Sequence, residues 1–301
     1  METAIEVSGV TRRHKTTTAL DNVSLRFQRD MIHGLLGRNG AGKTSLMSVM
    51  TAHDWPDAGD VRVFGQRPHE NEQVLPRICF VREDQKYIDD AKAHHALNAA
   101  ALAFPNWDQE LADRLCREFQ VPGKTRIKKM SRGQRSAVGV IIGLASRAEV
   151  TFFDEPYMGL DAVARQLFYD RLIEDYSEHP RTIVLSSHLI DEIAHLIENV
   201  VLLDRGRVLL DEPVEELRDR AVTLVGRADA VEEMTRGREV LQEERMGRTV
   251  RVTVLGALSL SEQRRVQQLD VDVVPVSLQQ LIVRLTTRGA PESVDTEEVA
   301  A

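Results

Sequence analysis

The sequence contains few cysteines and few aromatic residues, and it has no long apolar run. Its 301 residues include two cysteines, Cys79 and Cys116, and neither belongs to a cluster of metal ligands, which fits a reducing compartment. The longest apolar stretch, Val138 to Ala145, is far shorter than the ~20 residues that cross a bilayer. The polar N-terminus lacks the apolar core of a secretion signal, and we therefore expect a cytoplasmic protein.

Positive charge is in the minority. The chain has 39 Lys and Arg against 47 Asp and Glu, which gives a formal net charge of -8. Bulk attraction to a nucleic-acid backbone or to an anionic membrane surface is therefore not expected, and we predict no nucleic-acid partner. Any anion that the protein binds must be held by a local arrangement of groups.

Short apolar runs alternate with helical patterns through most of the chain. The strand-like runs are MIHGLL, EVTFF, TIVLSS and NVVLLD, after two alternating segments at 4–10 and 23–29. Helices are predicted at about 86–121 with a break at FPNW, 135–146, 162–176 and 189–197. Strands that alternate with helices indicate a parallel sheet with both faces covered.

The pattern changes near Asp211. The strand-like VTLVG, a charged stretch, TVRVTVLG and VDVVPV then combine with two helical segments, SLSEQRRVQQL and SLQQLIVRLT. We therefore predict a first domain at 1–212 and a small α+β domain at 213–287. The acidic residues 288–301 are predicted to form a disordered tail.

The first apolar run ends in a glycine-rich turn, GRNGAGKTS (37–45), which fits the pattern G-x-x-x-x-G-K-[ST] between a strand and a helix. Glycines are needed because the backbone must curl so that successive N–H groups point at phosphate oxygens, and the helix start adds its positive partial charge. We predict that Lys43 contacts the terminal phosphates and that the Thr44 hydroxyl ligates Mg²⁺. The alternative is an ordinary glycine loop.

A second strand, EVTFFDEP, ends in two adjacent carboxylates. Asp154 can hold Mg²⁺ through water, and Glu155 can orient or deprotonate an attacking water. Two carboxylates at the end of a buried strand repel each other unless a cation is near. A strand-ending turn capped by Asp is the alternative, which the neighbouring glycine loop makes less favourable.

A third turn, KKMSRGQRS (128–136), comes immediately before an apolar helix. Taken alone it favours a simple role, in which the Ser131 hydroxyl caps the helix by accepting a free backbone N–H of its first turn. Only the remaining motifs can give it another function.

In this order the pieces resemble the nucleotide-binding subunit of ATP-binding cassette (ABC) transporters, over about residues 4–212. GRNGAGKT is similar to the family's Walker A loop, VTFFDEP to its Walker B strand, and MSRGQ to its LSGGQ signature. The resemblance implies an α/β fold, a P-loop NTPase cassette with a parallel-sheet core, an antiparallel β part and a helical subdomain inserted at about 86–147. The small C-terminal α+β domain follows it.

The resemblance also implies that ATP and Mg²⁺ hold two copies head to tail. Ser131, the Gly133 amide and the helix start then bind the γ-phosphate of the ATP that the other subunit holds. MGLD resembles the D-loop, which contains Asp161, and SSHLIDE places His188 at the switch histidine. The implied catalytic residues are Lys43, Glu155 and His188. The implied nucleotide contacts are His14, Gly37, Asn39, Gly40, Ala41, Gly42, Lys43, Thr44, Ser45, Ser131, Gly133, Gln134 and Asp161.

Several positions depart from the family pattern. Arg132 replaces the first glycine of the signature and Met130 replaces its leucine. Alignment on the preceding strand puts Glu83 at the Q-loop glutamine, with Gln85 as the other candidate, so the predicted Mg²⁺ ligands are Thr44, Asp154 and Glu83. His14 stands where the family stacks an aromatic residue on adenine.

FPNWDQE and the C-terminal segment are similar to the drug-exporter-type ABC ATPases of bacteria. The resemblance therefore implies an exporter with a separate transmembrane permease, on the inner face of the membrane, and a homodimer or a heterodimer with a similar ATPase. One alternative is a soluble ABC ATPase that acts on nucleic acid or ribosomes. Against it stand the acidic charge, the single cassette and the absence of a long heptad insert. A P-loop kinase is the other alternative, and it leaves the signature and the switch histidine unexplained.

Overall fold

A computed structural model describes residues 2–288 as two compact units, the first ending at Glu212 and the second beginning at Pro213. The strands of the first unit are β1 (Thr3–His14), β2 (Thr17–Gln28), β3 (Ile32–Leu36), β4 (Ala58–Val63), β5 (Ile78–Val81), β6 (Val150–Asp154), β7 (Thr182–Ser187), β8 (Asn199–Asp204) and β9 (Arg207–Pro213). Its helices are α1 (Lys43–Met50), α2 (Ala93–Ala103), α3 (Gln109–Glu118), α4 (Arg132–Ala145), α5 (Ala162–Glu178) and α6 (Ile190–Ile193).

The first unit contains a 6-stranded sheet in the order β5-β6-β7-β3-β8-β9. The pairs β5/β6, β6/β7, β7/β3 and β3/β8 are parallel. Every residue of β3, β6 and β7 is buried, which explains why these strands are continuous apolar runs without alternation. Because the three strands are parallel neighbours, the loops that follow them leave the same edge of the sheet.

A separate 3-stranded antiparallel sheet, in the order β2-β1-β4, shares one hydrophobic core with β6 and α1. Phe27, Leu46, Met47 and Phe152 are fully buried in that core. Their packing fixes α1, and with it the glycine-rich turn at its start. The predicted α/β class, with a parallel core and an antiparallel part, is confirmed.

Three predicted helix boundaries in this unit are wrong. Residues 86–92 are not helical because their backbone bonds to another segment, with the Ile127 N–H donating to the Ala91 carbonyl at 2.8 Å. The helix predicted from Arg135 begins at Arg132 because Ser131 caps it. The helix predicted at 189–197 ends at Ile193, and the turns that follow let Ile197 pack against the bare backbone of Gly34.

The second unit contains the helices α7 (Val214–Arg218), α8 (Ala228–Thr235), α9 (Leu260–Gln268) and α10 (Leu278–Arg288) and the strands β10 (Ala221–Arg227), β11 (Val240–Met246), β12 (Thr249–Leu255) and β13 (Asp272–Pro275). Its sheet has the order β11-β12-β10-β13, and every pair is antiparallel. The chain order β-α-β-β-α-β is ferredoxin-like. Residues 289–301 of the predicted tail lie outside the described residues, and Arg288 ends α10.

Candidate functional site

The glycine-rich turn joins β3 to α1 at the edge of the parallel sheet. Gly42 caps α1 with φ of 107°, and a Cβ there would lie 2.5 Å from the Ala19 carbonyl oxygen. A Cβ on Gly37 would lie 2.4 Å from the Leu203 carbonyl oxygen. Both positions therefore require glycine, because neighbouring backbone passes where a side chain would begin.

This turn forms one wall of a cavity of ≈ 380 Å³. The other walls come from the β1–β2 hairpin and from the loops after β5, β6 and β7. Its lining residues are Thr17, Ala19, Asn39, Gly40, Gly42, Lys43, Thr44, Ser45, Glu83, Glu155, Met158 and His188. Positive and negative groups thus meet at the edge where the buried parallel strands end.

Lys43 is the buried cation of the cavity. Its side chain is 7% exposed, and Nζ donates to the Gly37 carbonyl oxygen at 2.8 Å. The same nitrogen lies 3.3 Å from Oε1 of Glu155. A buried ammonium with a carboxylate and a carbonyl as neighbours is matched in charge, and it is positioned where a bound phosphate would meet the loop.

Asp154 ends β6 beside the helix that follows the glycine-rich turn. Its two carboxylate oxygens accept hydrogen bonds from Thr44 Oγ1 at 2.7 Å and from Ser186 Oγ at 2.8 Å. Burial raises the pKa of the Asp154 carboxyl, although these two hydrogen bonds act in the opposite direction. A desolvated carboxylate next to a hydroxyl is an oxygen donor set that suits Mg²⁺.

Glu155 follows in a left-handed backbone conformation, with φ of 48°. Its carboxylate has a distinct partner on each oxygen: Oε1 faces Lys43, and Oε2 lies 2.6 Å from Nδ1 of His188. Because an ionised carboxylate can only accept, this contact requires the Nδ1 hydrogen as its donor, and Nε2 takes no part in it. Left-handed conformation in a non-glycine residue is costly and concentrates at functional sites.

Tyr157 completes this group, and the sequence did not single it out. It is 1% exposed, and its hydroxyl donates to Oε2 of Glu155 at 2.9 Å. The phenolic oxygen of Tyr157 lies 3.0 Å from His188 Nδ1. It accepts hydrogen bonds from Ser187 Oγ at 3.1 Å and from the His188 backbone N–H at 3.2 Å. Burial raises the pKa of the phenol, so the hydroxyl remains a donor at ordinary pH.

The turn at 130–134, hereafter the signature turn, does not line this cavity. Ser131 Oγ accepts from the Gln134 backbone N–H at 3.1 Å, and the Gln134 side chain accepts in return from the Ser131 N–H at 3.1 Å. The turn therefore forms a capping box, the simple role that the sequence also predicted. Ser131 remains exposed to solvent, and a Cβ on Gly133 would lie 2.7 Å from the Gly159 carbonyl oxygen.

The other predicted site residues lie around these two groups. Asp161 caps α5, with its side chain accepting from the Ala164 N–H at 2.8 Å. His14 is exposed, and Nε2 lies 3.3 Å from Oγ of Ser45 in the glycine-rich turn. Ala41 is buried, and its carbonyl oxygen accepts from Gly206 N at 2.9 Å.

Of the two Q-loop candidates, Glu83 lines this cavity and Gln85 does not, while both line a neighbouring cavity of ≈ 310 Å³. Among residues 2–288, no group of three His, Cys, Asp or Glu side chains could hold a metal ion unaided. A cation here would therefore depend on phosphate oxygens and water for most of its ligands.

The site and fold together define a P-loop nucleotide-binding protein. A family model described as ABC transporter matches residues 20–158. The chain is 30% identical over 230 residues to the daunorubicin resistance ATP-binding protein DrrA3 of Streptomyces coeruleorubidus, covering 72% of this chain and 70% of that protein. It is 28% identical over 221 residues to the aliphatic sulfonates import ATP-binding protein SsuB 1 of Nocardia farcinica (strain IFM 10152), covering 72% and 84%.

A solved dimeric structure of a post-hydrolysis state of the ATP-binding cassette MJ0796 bound to ADP and Pi has a TM-score of 0.62 and 20% identity, covering 70% of this chain and 98% of that chain. The chain belongs to the ABC transporter family as an ATP-binding subunit, which makes it an ATP hydrolase. The family resemblance, the fold and the enzyme class predicted from the sequence are confirmed. Within the described part of the chain, no helix is long and apolar enough to cross a membrane.

Proposed function

We propose that this chain is the ATP-binding and hydrolysing subunit of an exporter-type ABC transporter, bound to a separate transmembrane permease on the inner face of the membrane. One observation carries the proposal. Lys43, Glu155 and His188 meet in a cavity at the ends of three buried parallel strands, while the signature turn lies outside that cavity and exposes Ser131 and Arg132. These are the two separate surfaces to which we assign phosphate binding.

In the proposed hydrolysis the two carboxylate oxygens of Glu155 have different roles. Lys43 turns from Glu155 to the terminal phosphates, and this frees Oε1 to align the attacking water. Oε2 stays held by Tyr157 and His188, whose Nε2 is left to face the γ-phosphate. Backbone N–H groups of residues 37–45 then meet the charge that develops on the phosphoryl oxygens.

Mg²⁺, when bound, neutralises part of that charge. Thr44 would hold it directly, Asp154 would hold it through water, and Glu83 stands on the cavity wall as a further oxygen donor. The hydrogen bond from Thr44 to Asp154 supports this fit, because it already joins the two ligand side chains.

Two chains pair head to tail in this proposal. The signature turn of one chain, with Ser131, Gly133 and Gln134, meets the ATP that the other chain holds, and Asp161 lies at the same interface. The exposed position of Ser131 supports the pairing, since its hydroxyl oxygen caps the helix while its hydrogen can donate to a neighbour's phosphate beside the helix start. His14, beside Ser45, stacks on the adenine. The partner is a second copy or a similar ATPase.

Export is the direction that the similarity to DrrA3 favours, because that protein is named for drug resistance and is 30% identical. The import protein SsuB 1 is 28% identical, so the margin is small. A gene for a multi-span membrane protein next to the gene for this chain would support transport. Neighbours that encode only nucleic-acid or ribosomal proteins would contradict it.

Glu155→Gln tests the hydrolytic role. We expect hydrolysis to fall by roughly 10²–10⁴-fold because the general base is lost, while ATP binding persists and ATP now stabilises a dimer that light scattering detects. Glu174→Gln is the control, because Glu174 likewise pairs with a basic side chain, at 3.2 Å from Arg114, but does not line the cavity. Normal hydrolysis by the Glu155→Gln protein would contradict the role.

Ser131→Arg tests the shared site in the same assay. A bulky side chain on the exposed turn should abolish ATP-dependent pairing, since it blocks the approach of the neighbour's phosphate. If the Ser131→Arg protein pairs at the same concentrations of ATP and protein as wild type does, head-to-tail assembly is contradicted.

A further inference from the structure

Two positions at which the sequence departs from the family pattern contact each other. Arg132, in the signature turn, donates from Nη2 to Oε1 of Glu83 at 2.5 Å, although the two residues are 49 apart in the chain. Both side chains are partly exposed, at 56% for Arg132 and 41% for Glu83. The ion pair therefore links the signature turn to the wall of the nucleotide cavity within one chain.

Glu83 faces two cavities at once. It lines the ≈ 380 Å³ cavity that contains the glycine-rich turn, and it lines the neighbouring ≈ 310 Å³ cavity together with Arg132. Its carboxylate thus has a cation on one side and a predicted Mg²⁺ position on the other. Only Oε1 contacts the guanidinium, but movement of the carboxylate toward the metal would lengthen that contact, so the two cations would compete for Glu83.

Packing as well as charge holds Arg132 in place. Gly159, in the predicted D-loop, has φ of 89°, and a Cβ there would lie 2.6 Å from Cγ of Arg132. The aliphatic stem of Arg132 therefore lies against the bare backbone of Gly159. This packing positions the stem from which the guanidinium reaches Glu83.

We infer that Arg132 sets the affinity of this chain for Mg-ATP by competing with the metal for Glu83, and that Mg-ATP frees Arg132 at the signature turn. The inference rests on the proposed Mg²⁺ role of Glu83. Exposed ion pairs contribute at most about 1 kcal/mol, so the competition weakens binding by up to about fivefold. Binding of Mg-ATP in one chain would then free the Arg132 guanidinium on the signature turn, which is the surface that meets the other chain's ATP.

Calorimetric titration with the non-hydrolysable analogue AMP-PNP tests this competition in four proteins: wild type, Arg132→Met, Glu83→Gln and the double variant. Methionine keeps the stem over Gly159 and removes only the charge. With Mg²⁺, Arg132→Met should bind about two- to fivefold more tightly than wild type. With EDTA in place of Mg²⁺, and in the Glu83→Gln background, the same change should have no effect.

Arg126→Met is the matched control, because Arg126 is similarly exposed, at 50%, and forms an ion pair with Asp90 at 3.1 Å without lining the nucleotide cavity. It should leave both titrations unchanged. Equal tightening by Arg132→Met with and without Mg²⁺, or equal tightening in the Glu83→Gln background, would overturn the inference. If wild type itself fails to bind Mg-AMP-PNP, the proposed function fails instead. Thermal unfolding of each variant, with Arg132→Gln as a second replacement, excludes misfolding as the cause.

Discussion

Tyr157→Phe removes a single hydroxyl from the centre of the proposed catalytic group. In wild type that hydroxyl donates to Oε2 of Glu155 and accepts from Ser187 Oγ and from the His188 N–H. Phenylalanine fills the same volume, so the core is retained and only these hydrogen bonds are lost. The residue is buried and does not line the nucleotide cavity, so ATP does not touch it.

The expected losses of stability and of kcat follow from the hydrogen bonds that the Tyr157 hydroxyl makes. Leaving buried donors unsatisfied costs about 1–3 kcal/mol of stability. For hydrolysis, Glu155 keeps its contact with His188 but loses one of the two groups that fix Oε2. A loss of about 1.4–2.7 kcal/mol in transition-state positioning lowers kcat by about 10–100-fold. KM for ATP should stay within about twofold, because no substrate contact is removed.

Steady-state ATPase assays at several ATP concentrations separate these two parameters. Tyr169→Phe is the matched control, since Tyr169 is also buried, at 3% exposure, and its hydroxyl donates to Glu192 at 3.4 Å. That variant should lose stability without a comparable loss of kcat. Equal kcat for wild type and Tyr157→Phe, or a rise in KM at constant kcat, would refute the positioning role.

Two further predictions concern Asp154 and Gly133. Because burial raises the pKa of Asp154, the folded state holds the proton more tightly than the unfolded chain, and stability falls as pH rises through the carboxyl range. Asp154→Asn should therefore raise Tm relative to wild type, by an amount that grows as the pH rises above about 4. It should also abolish the additional rise in Tm that Mg²⁺ gives the protein in the presence of ATP. A Tm below that of wild type at neutral pH would contradict the first expectation. Gly133→Ala, in the first turn of α4, should lower Tm and abolish ATP-dependent pairing because Cβ meets the Gly159 carbonyl at 2.7 Å, whereas Gly123→Ala, with open space around it, should do neither. A helical Gly→Ala change free of this clash would raise Tm instead.

Sequence reasoning predicted the fold class and the motif positions because each depends on a few adjacent residues. The glycine-rich turn, the Asp154–Glu155 pair and the SSH segment each end an apolar run, and parallel strands bring such ends to one sheet edge. The cavity therefore assembles from motifs that are visible separately. The roles of the individual side chains stay predictions.

Contacts that depend on packing were not predictable in this way. Tyr157 is two residues from Glu155, but its ring turns back under the carboxylate only because β7 brings Ser187 and His188 beside it. The Arg132–Glu83 pair joins segments 49 residues apart, which no local pattern records. In the second unit, β11 lies at the sheet edge and is mostly exposed, so its charged sequence carries no alternation that would predict a strand.

The contacts of Glu155 also explain why hydrolysis should depend on loading of the cavity. Both oxygens of the carboxylate are engaged within the chain, Oε1 with Lys43 and Oε2 with Tyr157 and His188. On Oε1, Lys43 lies on the side of the carboxylate from which it would align water in the proposed mechanism. A bound triphosphate would attract Lys43 more strongly than one carboxylate does, because it carries several negative charges and would lie at the N-terminus of α1. In the proposed mechanism Lys43 is therefore both the group that contacts the triphosphate and the group whose movement frees Glu155, so binding and activation are coupled.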